Sequence, residues 1–158
     1  MDKATIIAQV IAALEQQVLD ARSAAQQAYE SATHEENIAE NKYDTLGLEA
    51  SYLAEGQSRR VAECEQALAT FKSLGCPLFE EDDAIQVGAL VQLLDLNSGA
   101  QRWVLLSPVA GGTQVSLDSF SMQLVTPQAP LGKGIMGHYV EDEVCIGPAQ
   151  NFQINAVC

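Results

Sequence analysis

The stretch SLGCPLFEEDDA, Ser73 to Ala84, decides how this chain is organised, because the hydrophobic rhythm differs on its two sides. Gly75 and Pro77 end a helix there: glycine accepts the left-handed turn after a last helical residue, and proline cannot continue the hydrogen-bond ladder. The acids Glu80 to Asp83 then make a short linker. Upstream the apolar spacing is helical, and downstream it is that of strands.

Upstream, apolar or small residues recur at Ile7, Ile11, Leu14, Val18, Ala21, Ala25, Ala28 and Ala32. Their alternating steps of four and three give the 3.5-residue rhythm of a coiled-coil seam, so this helix needs a partner. A second series can supply it: Leu46, Ala50, Leu53, Gln57, Val61, Cys64, Leu68 and Phe71. No proline precedes Pro77 and no glycine precedes Gly47, which makes the helices long and few. A reversal near residues 34–38 gives two arms of about 30 to 35 residues, each about 45 to 50 Å long at the helical rise. A later reversal at Asp44 to Gly47 is the alternative, with unequal arms.

Downstream, IQVGALVQLLDL and AQRWVLLSP flank an NSG turn in which Asn97 and Gly99 suit left-handed positions. GGTQVSL, SMQLVTP, DEVCIG and NFQINAV are further short strands. The expected fold class is therefore α+β: a long antiparallel coiled-coil hairpin over residues 1–76, and a small twisted antiparallel sheet domain over 84–158. Trp103, Phe120, Tyr139 and Phe152 are read as core aromatics.

Composition narrows the function. The 158 residues are 47% hydrophobic and carry 21 acids against 8 bases, a formal charge of −13. Such a chain repels a phosphate backbone, which argues against direct duplex DNA binding and for a partner with a basic groove. MDKATIIAQVIAALEQQ has no basic run before an apolar core, and no stretch approaches the roughly 18 apolar residues of a membrane span, so a cytoplasmic protein is expected. Four cysteines, Cys64, Cys76, Cys145 and Cys158, lack C-x-x-C spacing. Reduced thiols fit best, with a Cys145 to Cys158 bridge as the alternative. His34 and His138 have no partners at zinc-ligand spacing, and GKGIMG, Gly132 to Gly137, lacks the terminal Ser or Thr of a phosphate loop. It reads instead as a tight turn with a short helical segment.

Ala129 to Val144, APLGKGIMGHYVEDEV, resembles without a gap the C-terminal signature of the GreA/GreB family of transcript cleavage factors, S-P-I-A-R-A-L-I-G-K-K-V-G-D-V-V. Pro130, Gly137, Val140, Asp142 and Val144 are kept, Lys133 stands for Arg, and Ile135 and Met136 stand for the apolar pair. Val87 to Pro108 is similar to the family's opening hairpin, G-x-x-V-x-L-x-D-x-x-x-G. NIAENKYDTLGLEASYLAEGQ, Asn37 to Gln57, resembles the family's tip, with Glu40-Asn41, Glu49 and Glu55-Gly56 in register. Asn37 departs: it stands where the family places the first of two tip carboxylates, and Glu36 is its neighbour.

The resemblance implies an FKBP-like sheet domain and a non-enzymatic factor that binds RNA polymerase and inserts the hairpin tip into the secondary channel. It also implies that tip acids help hold a Mg²⁺ in trans beside the polymerase's own metal, with no stably bound cofactor. Mg²⁺ takes hard oxygen ligands, usually one or two carboxylates plus water and phosphate, and a second metal activates water for in-line displacement. The tip candidates are Glu36, Asn37, Glu40 and Asp44, with Glu36 and Glu40 as metal ligands at i, i+4 spacing. Docking falls to Pro130, Leu131, Lys133, Ile135, Met136 and Gly137. Competing readings are a channel binder without cleavage activity, a prolyl isomerase and a chaperone-like adaptor.

Overall fold

The computed structural model describes residues 2–34 and 46–158. Helix α1 spans Lys3–Thr33 and α2 spans Leu46–Leu74, forming an N-terminal helical hairpin. Asp2 starts α1: its side-chain oxygen accepts from Ala4 N at 3.3 Å and its carbonyl from Thr5 N at 3.1 Å, covering donors that a first turn leaves unpaired. At the same end of the hairpin, α2 stops at Gly75, whose φ of +69° is the left-handed C-cap conformation. Lys72 in the last turn complements the helix dipole. At 31 and 29 residues the helices are each about 45 Å long. Gly47, a candidate breaker, lies inside α2.

The chain divides into two compact units, residues 11–69 and a second made of residues 1–10 with 70–158. In the first, Val18 and Ala21 of α1 pack with Cys64 of α2, flanked by Val61 and Leu68. Arg22 Nη2 meets Glu65 Oε1 at 2.5 Å across the pair. That bridge is solvated and contributes at most about 1 kcal/mol, so the apolar seam holds the helices. The seam of α1 follows the expected positions from Leu14 through Ala28. On α2, Leu53 differs: it is 56% exposed and Ala54 takes its place in the stripe. The periods 50-53-57 and 50-54-57 fit a helix equally, and the smaller side chain sits inward.

The second unit is built on a six-stranded sheet of order β3-β4-β2-β1-β6-β5. Its strands are β1 Leu90–Asp95, β2 Gln101–Leu106, β3 Gln114–Leu117, β4 Phe120–Val125, β5 Glu143–Gly147 and β6 Gln150–Val157, with a short helix α3, Pro130–Ile135, between β4 and β5. The sheet is mixed where an antiparallel one was expected, because β2 and β4 run parallel. The chain leaves β2, places β3 on the outer edge, and turns back through Asp118 so that β4 fills the space between them. Asn97 is likewise not left-handed; its N–H donates to Asp95 Oδ1 at 2.8 Å, and Gly99 alone takes the positive φ, +71°.

Register places Leu90, Leu105 and Leu124 in one row and Val91 and Val104 in the row facing the other way. All five are buried, so both faces of the central strands are covered, which explains their unbroken apolar runs. The second face packs with Ile135, Val144, Phe152 and Ile154 in one core. The ends of the helices belong to this unit too. Lys3 donates to the carbonyls of Pro77 at 2.5 Å and Cys158 at 2.6 Å. Leu74 and Pro77 cover Gly88, where an added Cβ would overlap the Pro77 ring and a φ of +98° already favours glycine.

All four cysteines are free thiols. The Cys145 to Cys158 bridge does not form: Cys145 pairs with Asn151 on β6, and Cys158 lies seven residues further on, about 23 Å along a strand. Tyr139, expected in the core, is 49% exposed on the loop after α3.

Candidate functional site

Two surfaces carry the residues that the sequence singles out. The first lies at the connection of the hairpin. Glu36, Asn37, Glu40 and Asp44 fall outside the described residues. Their described flanks are His34 after α1 and the first turns of α2, where His34, Leu48, Glu49, Ser51, Tyr52 and Leu53 are exposed, Gly47 is buried and Ala50 is half-buried. Glu49 sits in the first turn of α2, where the exposed N–H groups favour a carboxylate. Glu55 is partly neutralised within its own helix by Arg59, at 3.1 Å. Leu48 and Tyr52, one turn apart, and Tyr29 on α1 are exposed.

The second surface is built by α3. Pro130 opens the helix at a position where a missing N–H costs nothing. Gly132 lies against the carbonyl of Thr126, too close for any Cβ, which sets α3 flush on the loop after β4. Met136 N then bonds Gly132 O at 3.0 Å, and Gly137, at φ +77°, sends its N–H to Ile85 O at 2.8 Å. This turn releases the chain towards β5. Asp142 stabilises the turn by accepting from Tyr139 N at 2.9 Å and lying 3.1 Å from His138 Nδ1. The Tyr139 amide first, and His138 second, hold the Asp142 carboxyl below the usual carboxylate range.

These contacts sort the six docking candidates. Pro130 and Lys133 are exposed, and Leu131 and Met136 are half-buried against the core. Ile135 is fully buried and anchors α3 in the core, so it cannot touch a partner. Gly137 acts through its backbone conformation. Beside α3 lies a groove of about 450 Å³ lined by Pro130, Leu131, Thr126, Ile146, Phe152 and Arg102. The Arg102 guanidinium stands 4.4 Å from the centre of the Phe152 ring, a cation–π contact that fixes a positive charge at the rim of an apolar trough. Arg102 has no carboxylate within ion-pair distance among the described residues.

Sequence reasoning missed Arg102. On β2 it shares the face of Val104 and Leu106, an alternation that was legible, but the ring it covers comes from β6, fifty residues away. Among the described residues no cluster of three or more His, Cys, Asp or Glu could hold a metal ion. No helix among them is long and apolar enough to cross a membrane.

No protein-family profile matches the chain, and no curated protein does. Solved structures of Gfh1 are similar to it. GreA factor homolog 1 of Thermus thermophilus is 22% identical over 94% of this chain and 94% of its own, with a TM-score of 0.39. Gfh1 of Thermus aquaticus is 20% identical over 91% and 90%, at 0.37. A third structure, of the transcription factor Gfh1, is 20% identical over 93% and 92%, at 0.40.

Proposed function

We propose that this chain is a Gre-type accessory factor of RNA polymerase, which docks through its sheet unit and presents the connection between α1 and α2 to the secondary channel. The observation that carries the reading is the ungapped signature Ala129 to Val144. Its residues make one structural device: Pro130 opens α3, Gly132 seats it, Ile135 anchors it, Gly137 turns the chain and Asp142 closes the turn. Pro130 and Lys133 are exposed, Leu131 and Met136 are half-buried beside them, Pro130 and Leu131 line the groove, and Arg102 adds a fixed positive charge.

At the connection, Glu36 and Glu40 supply carboxylate oxygens suited to a Mg²⁺ shared with the polymerase's active site, with Asp44 a further tip acid, and the factor itself catalyses nothing. Asn37 provides a neutral amide where the family has an acid. One ligand fewer weakens the hold on the metal, so channel occupancy and modulation of elongation are the primary activity and cleavage stimulation the lesser one. The overall charge of −13 suits entry into a basic channel.

Stalled elongation complexes test this. Wild-type protein should co-purify with the polymerase and alter RNA extension. Glu40→Ala should bind within about 0.5 kcal/mol of wild type, as a surface change does, while losing the effect on RNA. Asn37→Asp should raise transcript cleavage. Absence of binding overturns the reading, and equal behaviour of Glu40→Ala and wild type removes the tip's role. A prolyl-peptide assay addresses the isomerase alternative, which the groove serves poorly because Phe152, its one aromatic lining residue, is already covered by Arg102.

A further inference from the structure

The groove beside α3 runs against the charge of the chain as a whole. With 21 acids and 8 bases in the sequence, none of the described residues lining the groove is acidic, and Arg102 is the charged one among them. Its walls are fixed by the fold. On one side Gly112 N bonds Leu124 O at 2.8 Å; on the other, Ile146 lies so close to α3 that a Cβ at Gly134 would come within 3.0 Å of Ile146 Cγ1. The Arg102 guanidinium is held 4.4 Å over the buried Phe152 ring, and a guanidinium over a ring face keeps its N–H donors for a further partner. Asp95 is not that partner: its Oδ1 accepts from Asn97 N at 2.8 Å and Ser98 N at 3.3 Å, and the Asn97 amide, more than the Arg102 charge, holds its carboxyl below the usual range. Arg102, Gly111, Pro130 and Gln150 are exposed, so the groove is open and does not enclose a small ligand as a cofactor site does.

We infer that the groove receives a segment of a partner protein that sets a carboxylate beside a leucine-sized side chain, and that Arg102 is the residue that selects it. The carboxylate accepts N–H bonds from the planar guanidinium fork, and the apolar side chain fills the trough lined by Leu131 and Ile146. Neither half is enough alone. An exposed ion pair contributes little because water and salt screen it, and apolar contact does not tell one partner from another. Together the apolar side chain keeps water from the ion pair and strengthens it, while a segment without the acid leaves the guanidinium desolvated and unpaired. The charge of −13 repels an acidic segment from the rest of the chain, so Arg102 also fixes where it lands. For the identity of the partner the inference rests on the reading proposed above, which makes it RNA polymerase.

The test titrates the isotope-labelled full chain with the capped peptide acetyl-Leu-Glu-Leu-amide and follows it by NMR. Saturable shifts should appear at Arg102 Nε–H and at the methyls of Leu131 and Ile146. Replacing the peptide's Glu by Gln, or its leucines by alanine, should weaken binding by about tenfold, the loss of one charge-assisted pair or of the apolar contact. Arg102→Met, whose unbranched stem still covers Phe152, should keep the wild-type melting temperature and bind the Glu and Gln peptides equally. No saturable shift, shifts centred elsewhere, or wild type binding the Glu peptide no better than the Gln or alanine versions overturns the inference. A second measurement separates it from the reading on which it rests. Where wild type binds polymerase, Arg102→Met should bind about tenfold more weakly; equal binding overturns the inference and leaves the reading standing. Peptide binding as stated, with no binding of wild type to polymerase, supports the groove's chemistry and overturns the reading.

Discussion

Gly132→Ala should strongly destabilise the sheet unit, although it adds one methyl group. Gly132 is buried in α3 and its φ is not positive, so backbone strain is not the issue. The new Cβ would overlap the Thr126 carbonyl oxygen and sit 2.8 Å from the Thr126 carbonyl carbon and 3.2 Å from Pro127 Cα. Carbon atoms pack at about 3.5 to 4 Å, so α3 must retreat by about 1 Å from a backbone that cannot rotate away. Overpacking of this kind costs about 1 to 3 kcal/mol. The retreat also withdraws Ile135, fully buried at the other end of the same short helix, and the lost packing adds about 1 kcal/mol. The expected total is about 3 kcal/mol. In a unit of about a hundred residues that lowers the melting temperature by about 10 to 20 °C. Thermal melts followed by circular dichroism, with urea midpoints as a second measure, provide the reading. A variant melting within about 3 °C of wild type would refute the claim that close approach to Thr126 determines this residue.

Gly56→Ala should act in the opposite direction. A Cβ there meets nothing within 4 Å inside α2, so the variant gains about 0.5 to 1 kcal/mol of helix propensity, measurable as a higher urea midpoint. Ala149→Gly should raise stability by about 0.5 to 1 kcal/mol, because Ala149 holds φ +59° in the two-residue turn between β5 and β6; an unchanged or lower melting temperature counts against it. Leu14→Asp places a charge at a fully buried seam position and should cost at least about 4 kcal/mol, seen as loss of the helical transition; a surface-like loss under about 0.5 kcal/mol contradicts the seam. Asp142 has a folded pKa below its unfolded one, so its stabilisation is present above the ordinary aspartate range and disappears as pH falls through the folded value. The gap in melting temperature between wild type and Asp142→Asn should therefore be widest near neutrality and close in acid; a gap independent of pH would show that the carboxylate charge is not what matters.

How much of this was legible beforehand depends on the range over which each feature is determined. The seam of α1 from Leu14 to Ala28, the stop at Gly75 and Pro77, all six strands and the turn at Gly137 follow from spacing within a few residues, whereas nearer the start of α1 Val10 is buried and the expected Ile11 only half-buried. Each rests on local geometry, the helical and strand periods and the tolerance of glycine for positive φ. The shared faces of β1 and β2 were likewise implied by the NSG turn.

Choices between local equals were not legible. Leu53 and Ala54 fit the helical period equally well, and only the partner helix selects the alanine. Ile135 and Met136 read as an apolar pair, yet one anchors the core and the other stays half outside. The parallel pairing of β2 with β4, the placement of Arg102 over Phe152 and the burial of Lys3 between Pro77 and Cys158 join residues 19 to 155 positions apart. Periodicity records which side of an element turns inward; it holds no information about which distant element arrives there, because that is decided by how all the buried faces are satisfied at once.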